Sequence, residues 1–283
     1  MTTITPGTTV PLTTPTRAVS PTPSSKPRKD FLHQPLGEWT VRVVTFVIIF
    51  GGWEIGAANV NRALIAPPSE IIVSFIRQVF VEGTIWGPFF TSIWVLFAGL
   101  AISLLIGLPI GLAMGRWKRV AWSLDPFVYF LYALPHVALV PLMIILLGFD
   151  WPFRLAYVFI AAVWPIILNT MAGVRAVDKD LLEAATAFGS RESQTVRKVI
   201  LPAASPFMVA GFRQAFSSAW VGVVVSEILS TLVGLGGQIE RFSLQFLTAD
   251  MFVPIFMIMF VAVAIQSFTA WAQKRLTPWQ PRI

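Results

Sequence analysis

An all-α polytopic membrane protein is the fold class this sequence predicts, and three observations carry the prediction. First, 55% of its 283 residues are hydrophobic and 12% charged, whereas soluble domains carry about a quarter charged residues. Second, apolar runs of about 20 residues, enough to cross a hydrocarbon core of about 30 Å, occur six times. Third, Lys and Arg concentrate in alternate connections between those runs.

The runs lie near Val41–Ala58, Phe89–Met114, Leu124–Leu147, Phe153–Ala172, Phe207–Val233 and Phe252–Trp271. Ahead of them, residues 1–37 open on a Thr-, Pro- and Ser-rich stretch that ends in Lys26, Arg28 and Lys29 and has no apolar region. That composition predicts a disordered tail, neither signal peptide nor span. The permease-like core is expected over 38–275, with a short tail at 276–283.

Orientation follows from the cations. The N-terminal tail, the second and fourth connections and the C-terminus hold fifteen Lys and Arg, against four (Arg62, Arg77, Arg154 and Arg241) in the odd connections. Both termini are expected on the cytoplasmic side. The net charge of +7 is a membrane-orientation signal, because no basic amphipathic face for nucleic acid is present. No cysteine occurs, which excludes disulfides and thiol chemistry, and two histidines argue against a His-based metal site. No metal is expected.

After the first run, Pro67–Glu82 places apolar pairs and polar residues at helical spacing, predicting an amphipathic helix on the outer interface with Ser69 as N-cap. Glu54 in the first run has no evident mate. His136, after Pro135, is expected to satisfy a carbonyl freed by a proline kink. Gly234-Leu235-Gly236-Gly237 is expected to break the fifth helix into an outer turn.

The fourth connection is the most informative segment. Asp180-Leu181-Leu182-Glu183 has capping-box form, and Ala184, Ala185 and Ala187 extend the helix. Gly189 suits a left-handed stop, Ser190 a second cap, and Leu201-Pro202 the end of a second short helix near Val199. Glu183 is either a local cap or a partner contact. The small Ala and Gly side chains would let a partner's groove approach the backbone.

This segment resembles the loop of permease subunits in binding-protein-dependent ABC importers. The family pattern is Glu-Ala-Ala, three residues, Gly, nine residues, Ile, one residue, Leu-Pro. Here it stands as Glu183-Ala184-Ala185, Gly189, Val199 in place of Ile, and Leu201-Pro202. Pro135–Leu142, Asn169–Gly173, Trp220–Glu227 and Gly234-Leu235-Gly236 resemble the nitrate, sulfonate and taurine branch. The resemblance implies a type I importer permease in the bacterial inner membrane, with a second permease copy in a homodimer or pseudo-dimer. It also implies two cytoplasmic ATPase subunits that dock on this loop, and an external solute-binding protein. The chain has no Gly-x-x-x-x-Gly-Lys-Ser/Thr loop, so ATP and Mg are expected on the partner ATPase and no cofactor on this chain.

Within the fifth run, Arg213, Ser217, Trp220, Glu227 and Thr231 share one helical face. Ionisable groups inside a bilayer need a cavity or a partner, so these residues, with Asn169, are the candidates for lining the path. For Arg213 snorkelling, for Glu227 a buried bond, for Trp220 packing and for Asn169 a helix–helix bond are equally open. Clustered mid-membrane carboxylates or inverted repeats, which the alternative of an ion-coupled secondary carrier would need, are not visible.

Overall fold

The structure is a computed structural model that describes residues 35–230 and 232–276. Most of the expected N-terminal tail, nearly all of the short C-terminal tail and Thr231 lie outside the described residues. Helix α1, Pro35–Ala58, begins three residues inside the expected tail. Of the described residues, its first part, up to Ile49, belongs to one unit and those from Phe50 onward form a second. All packing below lies in the second.

The elements follow as α2 (Pro68–Ile76), α3 (Trp86–Arg116), α4 (Lys118–Ala133), α5 (Val140–Leu147), α6 (Trp151–Arg175), α7 (Lys179–Ala187), α8 (Glu192–Thr195), α9 (Leu201–Leu229), α10 (Gly234–Leu244) and α11 (Thr248–Leu276). No strand occurs among the described residues. Five helices are long and apolar enough to span a membrane: α1 from Trp39, α3, α6, the continuous Glu192–Leu229 and α11 to Trp271. A sixth exists only if α4 and the His136–Leu147 segment, bent by 89°, make one span. The expected run Leu124–Leu147 is thus a bent pair of helices, with the break at the expected proline kink. Leu134, forced by Pro135 into an extended conformation (ψ 128°), ends α4. A hydropathy run does not register that break.

In lipid, apolar side chains gain little by leaving the solvent, so helices associate through close packing and small residues. Helix α3 carries Gly99, Gly107, Gly111 and Gly115 along the side facing α6. A Cβ on any of them would lie 2.5 to 2.9 Å from Val158, Ile166, Ile167, Thr170 or Val174. Gly173 and Gly211 do the same between α6 and α9. The core formed around this triple contact joins Leu96 and Leu100 of α3, Val158 and Ile166 of α6, Phe216, Trp220 and Val223 of α9, Leu235 of α10, and Val253 and Met257 of α11.

The amphipathic helix forms as expected, as α2 followed by one wide π turn, Arg77–Val81. Its cap differs: Pro67 is the N-cap and makes no side-chain cap bond. Ser69 instead donates through N (3.1 Å) and Oγ (2.6 Å) to Glu54, which is the mate Glu54 seemed to lack. Arg77 pairs with Asp250 at the start of α11, and Thr248 Oγ1 donates to Ala63 O at 2.7 Å.

Candidate functional site

The loop after α6 is built by local chemistry. Asp178, extended at ψ 131°, caps α7 by accepting from Asp180 N at 2.9 Å. This corrects the expectation that Asp180 caps with Glu183 reaching back. The earlier aspartate wins because Val177 is buried against Val174 and Ile200, which leaves Asp178 as the first residue free to turn. Asp180 sits in the first turn, where its charge suits the helix dipole. Asp180, Glu183 and Ala184 are exposed and Ala185 is half-buried, so Glu183 presents its carboxylate outward. Helix α7 stops at Gly189, whose φ of +70° places it in the left-handed region with open space around its Cα. Beside it Phe188 is 91% exposed.

The second short helix also differs from expectation. Arg191, not Ser190, is the N-cap of α8, and its N–H donates to Gln194 Oε1 at 3.0 Å. Ser190 Oγ lies 2.8 Å from Thr195 Oγ1. The helix does not end at Leu201-Pro202 either. A wide π turn, Val196–Ile200, leads into α9 with Pro202 in its first turn, where a missing N–H costs little. The loop is thus one free helix, a glycine elbow, and the root of a span. Arg116 at the end of α3 grips Glu192 through Nε (2.7 Å) and Nη2 (3.0 Å), and Arg175 stands 3.7 Å from Asp125.

The stripe on α9 does not share one environment. Arg213 and Ser217 are exposed, and Arg213 Nη2 donates to Gln266 Oε1 at 3.5 Å. One to two turns further, Trp220 is 5% exposed and stacks on Phe216. Its Nε1 donates to Ile258 O at 3.1 Å. Glu227 is fully buried. It accepts from Ser92 Oγ at 2.7 and 2.9 Å and from Gly236 N at 2.9 Å, while Leu235 N donates to Ser92 Oγ at 2.8 Å. The same face therefore runs from open at the Arg213 end to sealed by α3, α10 and α11 at the Glu227 end. Asn169 donates to Pro165 O (2.8 Å) and to Gln214 Oε1 (3.1 Å), joining α6 to α9. His136 Nε2 is buried without a partner, so this nitrogen does not satisfy a freed carbonyl.

The glycine run does not only make a turn: it starts α10, a helix the sequence reading missed. The glycines are there for space. Gly234 adopts φ +73°, and a Cβ on it would fall on the Glu227 carboxylate. Ser92, 135 residues from Glu227, was also missed, since neither periodicity nor spacing links two groups so far apart.

Long apolar helices packed through glycines, with one exposed polar helix between two of them and a sealed polar knot at the other end, define a polytopic membrane protein. The chain belongs to the family of inner membrane components of binding-protein-dependent transport systems, which it matches over residues 103–280. A putative aliphatic sulfonates transport permease protein of Bacillus subtilis (strain 168) is 30% identical over 243 residues, covering 86% of this chain and 88% of that one. The bicarbonate transport system permease protein of Synechococcus elongatus is 30% identical (82% and 86% covered), and the taurine transport system permease protein of Escherichia coli K12 is 26% identical (84% and 88%). Among solved structures, a chain of the MetNI methionine ABC transporter in an inward-facing conformation aligns with a TM-score of 0.58. It is 17% identical and covers 75% of this chain and 99% of that one. This protein is accordingly an ABC importer permease subunit.

Proposed function

We propose that the chain, paired with a second permease copy, forms the path for a small oxyanion of the sulfonate, taurine or bicarbonate type, delivered by an external binding protein and driven by cytoplasmic ATPase subunits. The observation that carries this reading is α7. It is a short helix whose Asp180, Glu183 and Ala184 are exposed while Leu182 packs back on the bundle, with Phe188 91% exposed at its tip. A fully exposed Phe costs free energy until something covers it, and aromatic anchors that fill a partner's pocket dominate interface energies. The loop Asp180, Glu183, Ala184, Ala185, Gly189, Leu201 and Pro202 is the surface on which the ATPase docks.

Movement of that loop reaches the bundle by two routes. The continuous helix from Glu192 to Leu229 leads through Leu201-Pro202 into α9, and the Arg116–Glu192 pair leads into α3. Both termini lie in the cytoplasm in this reading, and the Glu227 knot lies at the outer end. Arg213 and Ser217, open on α9, remain the candidates for the path; Asn169 is held by Gln214. Thr231 keeps its place as a candidate from the sequence alone.

The relatives' named solutes, sulfonates, taurine and bicarbonate, support the anionic class. The test is ATP turnover of the lipid-reconstituted complex with and without the binding protein, for wild type and Gly189→Asp. Turnover that responds to the binding protein in wild type and not in the variant supports the reading. An equal response in both contradicts the docking assignment.

A further inference from the structure

The outer-end knot contains a charge that the path described so far does not use. Arg154, in the first turn of α6, is 7% exposed, and its Nε and Nη1 are buried without a hydrogen-bond partner. Other arginines near the ends of the bundle are matched: Arg62 by Glu70, Arg77 by Asp250, Arg116 by Glu192 and Arg175 by Asp125. An unbonded guanidinium buried in a bilayer protein is expensive unless a function keeps it.

Its neighbour explains why it stays unbonded. Gly222 of α9 packs on Val158 and Tyr157 of α6, and Gly211 on Asn169 and Pro165, so the two helices run antiparallel. One turn outward from Val158, Arg154 lies level with the Glu227 region, and its charge acts on the Glu227 carboxylate. Glu227 nevertheless takes its hydrogen bonds from Ser92 and Gly236 and none from Arg154. The guanidinium and the carboxyl group are not hydrogen-bonded to each other, and the donors stay free. Ser230, three residues beyond Glu227 at the same end, also keeps a buried Oγ without a partner.

We infer that Arg154 is an oxyanion-recognising group of the path, its unbonded Nε–H forming, with the Nη2–H on the same edge, a planar fork that receives a sulfonate or carboxylate-like group when the outer end opens, while Nη1 is a second free donor. A guanidinium fork binds two oxygens of such a group at once. In its ionised form Glu227 offsets part of the guanidinium charge, so that the anion is not held too tightly to leave. The inference rests on the anion-transport reading above.

The experiment uses the permease–ATPase complex in lipid nanodiscs and reads the shift of the unfolding midpoint against methanesulfonate and bicarbonate, with chloride at matched ionic strength as the blank. The wild type is expected to show a saturable shift. Arg154→Gln is expected to abolish it, and Arg154→Lys to weaken half-saturation at least tenfold. Arg241→Gln, which removes an exposed cation of the proposed outer side, is expected to keep it. If Arg154→Gln fails to assemble, Arg154→Gln with Glu227→Gln removes both charges together. Restored assembly without the anion response supports the site; restored assembly with a full response makes Arg154 a structural counter-charge only and overturns it. An undiminished response in Arg154→Gln or Arg154→Lys overturns it too. A wild type indifferent to both probes overturns the anionic solute class itself, a different failure from an Arg154 variant that responds like wild type.

Discussion

Two glutamates and two glycines stand at opposite ends of the bundle and do opposite jobs. At the α7 end, Glu183 is exposed and Gly189, with φ +70°, has nothing within 4 Å of where a side chain would begin. At the α10 end, Glu227 is fully buried and hydrogen-bonded by Ser92 and Gly236, and Gly234, with nearly the same φ of +73°, has no room for one carbon. The backbone geometry is shared and the surroundings are not. What separates a surface awaiting a partner from a lock within the chain is whether the polar groups are already satisfied.

The first way to break this comparison is to empty the lock. Glu227→Ala leaves the Ser92 O–H and the Gly236 N–H without their acceptor and opens a cavity, and is expected to destabilise by about 3 kcal/mol or more. Glu183→Ala, on an exposed helix face, is expected to change stability by less than about 0.5 kcal/mol. Unfolding midpoints in matched lipid check both.

Next come the glycines. Gly234→Ala and Gly189→Ala share the cost of a positive φ, about 1 kcal/mol. Gly234→Ala adds a collision with Glu227, bringing the expected loss to about 2–4 kcal/mol. The difference between the two variants in the same unfolding assay isolates the collision. Equal losses would mean that α10 shifts away from Glu227 at little cost.

A small stability effect is expected at the Arg116–Glu192 pair as well. Its side chains are 36% and 51% exposed, so Glu192→Ala should cost only about 0.5 kcal/mol. Transport per ATP hydrolysed is nonetheless expected to fall, because the tie between the loop and α3 is cut. Unchanged coupling would confine the transmission to α9.

The contrast also shows what could be read from the sequence. Apolar length gave the long helices, and the alternation of Lys and Arg gave the orientation now proposed. The spacing of Glu183-Ala184-Ala185, Gly189 and Leu201-Pro202 picked out the exposed helix, because its properties are local. The lock was legible only in part: a buried bond was one of the readings of Glu227, but its partners were out of reach. Ser92, Arg154 and Glu227 come from three helices distant in sequence, and Arg154 looked like an ordinary loop cation. Helix α10 has poor intrinsic propensity, with three glycines in its first four residues, and forms because Glu227 and Leu235 fasten its start. The bend after Leu134 was legible in Pro135, although its size, 89°, was not. Choosing Asp180 over Asp178 as the cap failed because two aspartates stood two residues apart and only the burial of Val177 decided between them.

The chain contains no cysteine, so a single introduced thiol reports on one position. The most direct test compares Phe188→Cys with Ser226→Cys in the lipid-reconstituted permease, measuring the rate of labelling by a charged maleimide with and without the ATPase. The account predicts fast labelling at 188, protection of at least tenfold when the ATPase binds, and negligible labelling at 226 in both states. Labelling at 188 that is slow from the outset, or fast and unaffected by the ATPase, would contradict the claim that α7 is an open surface waiting for that partner.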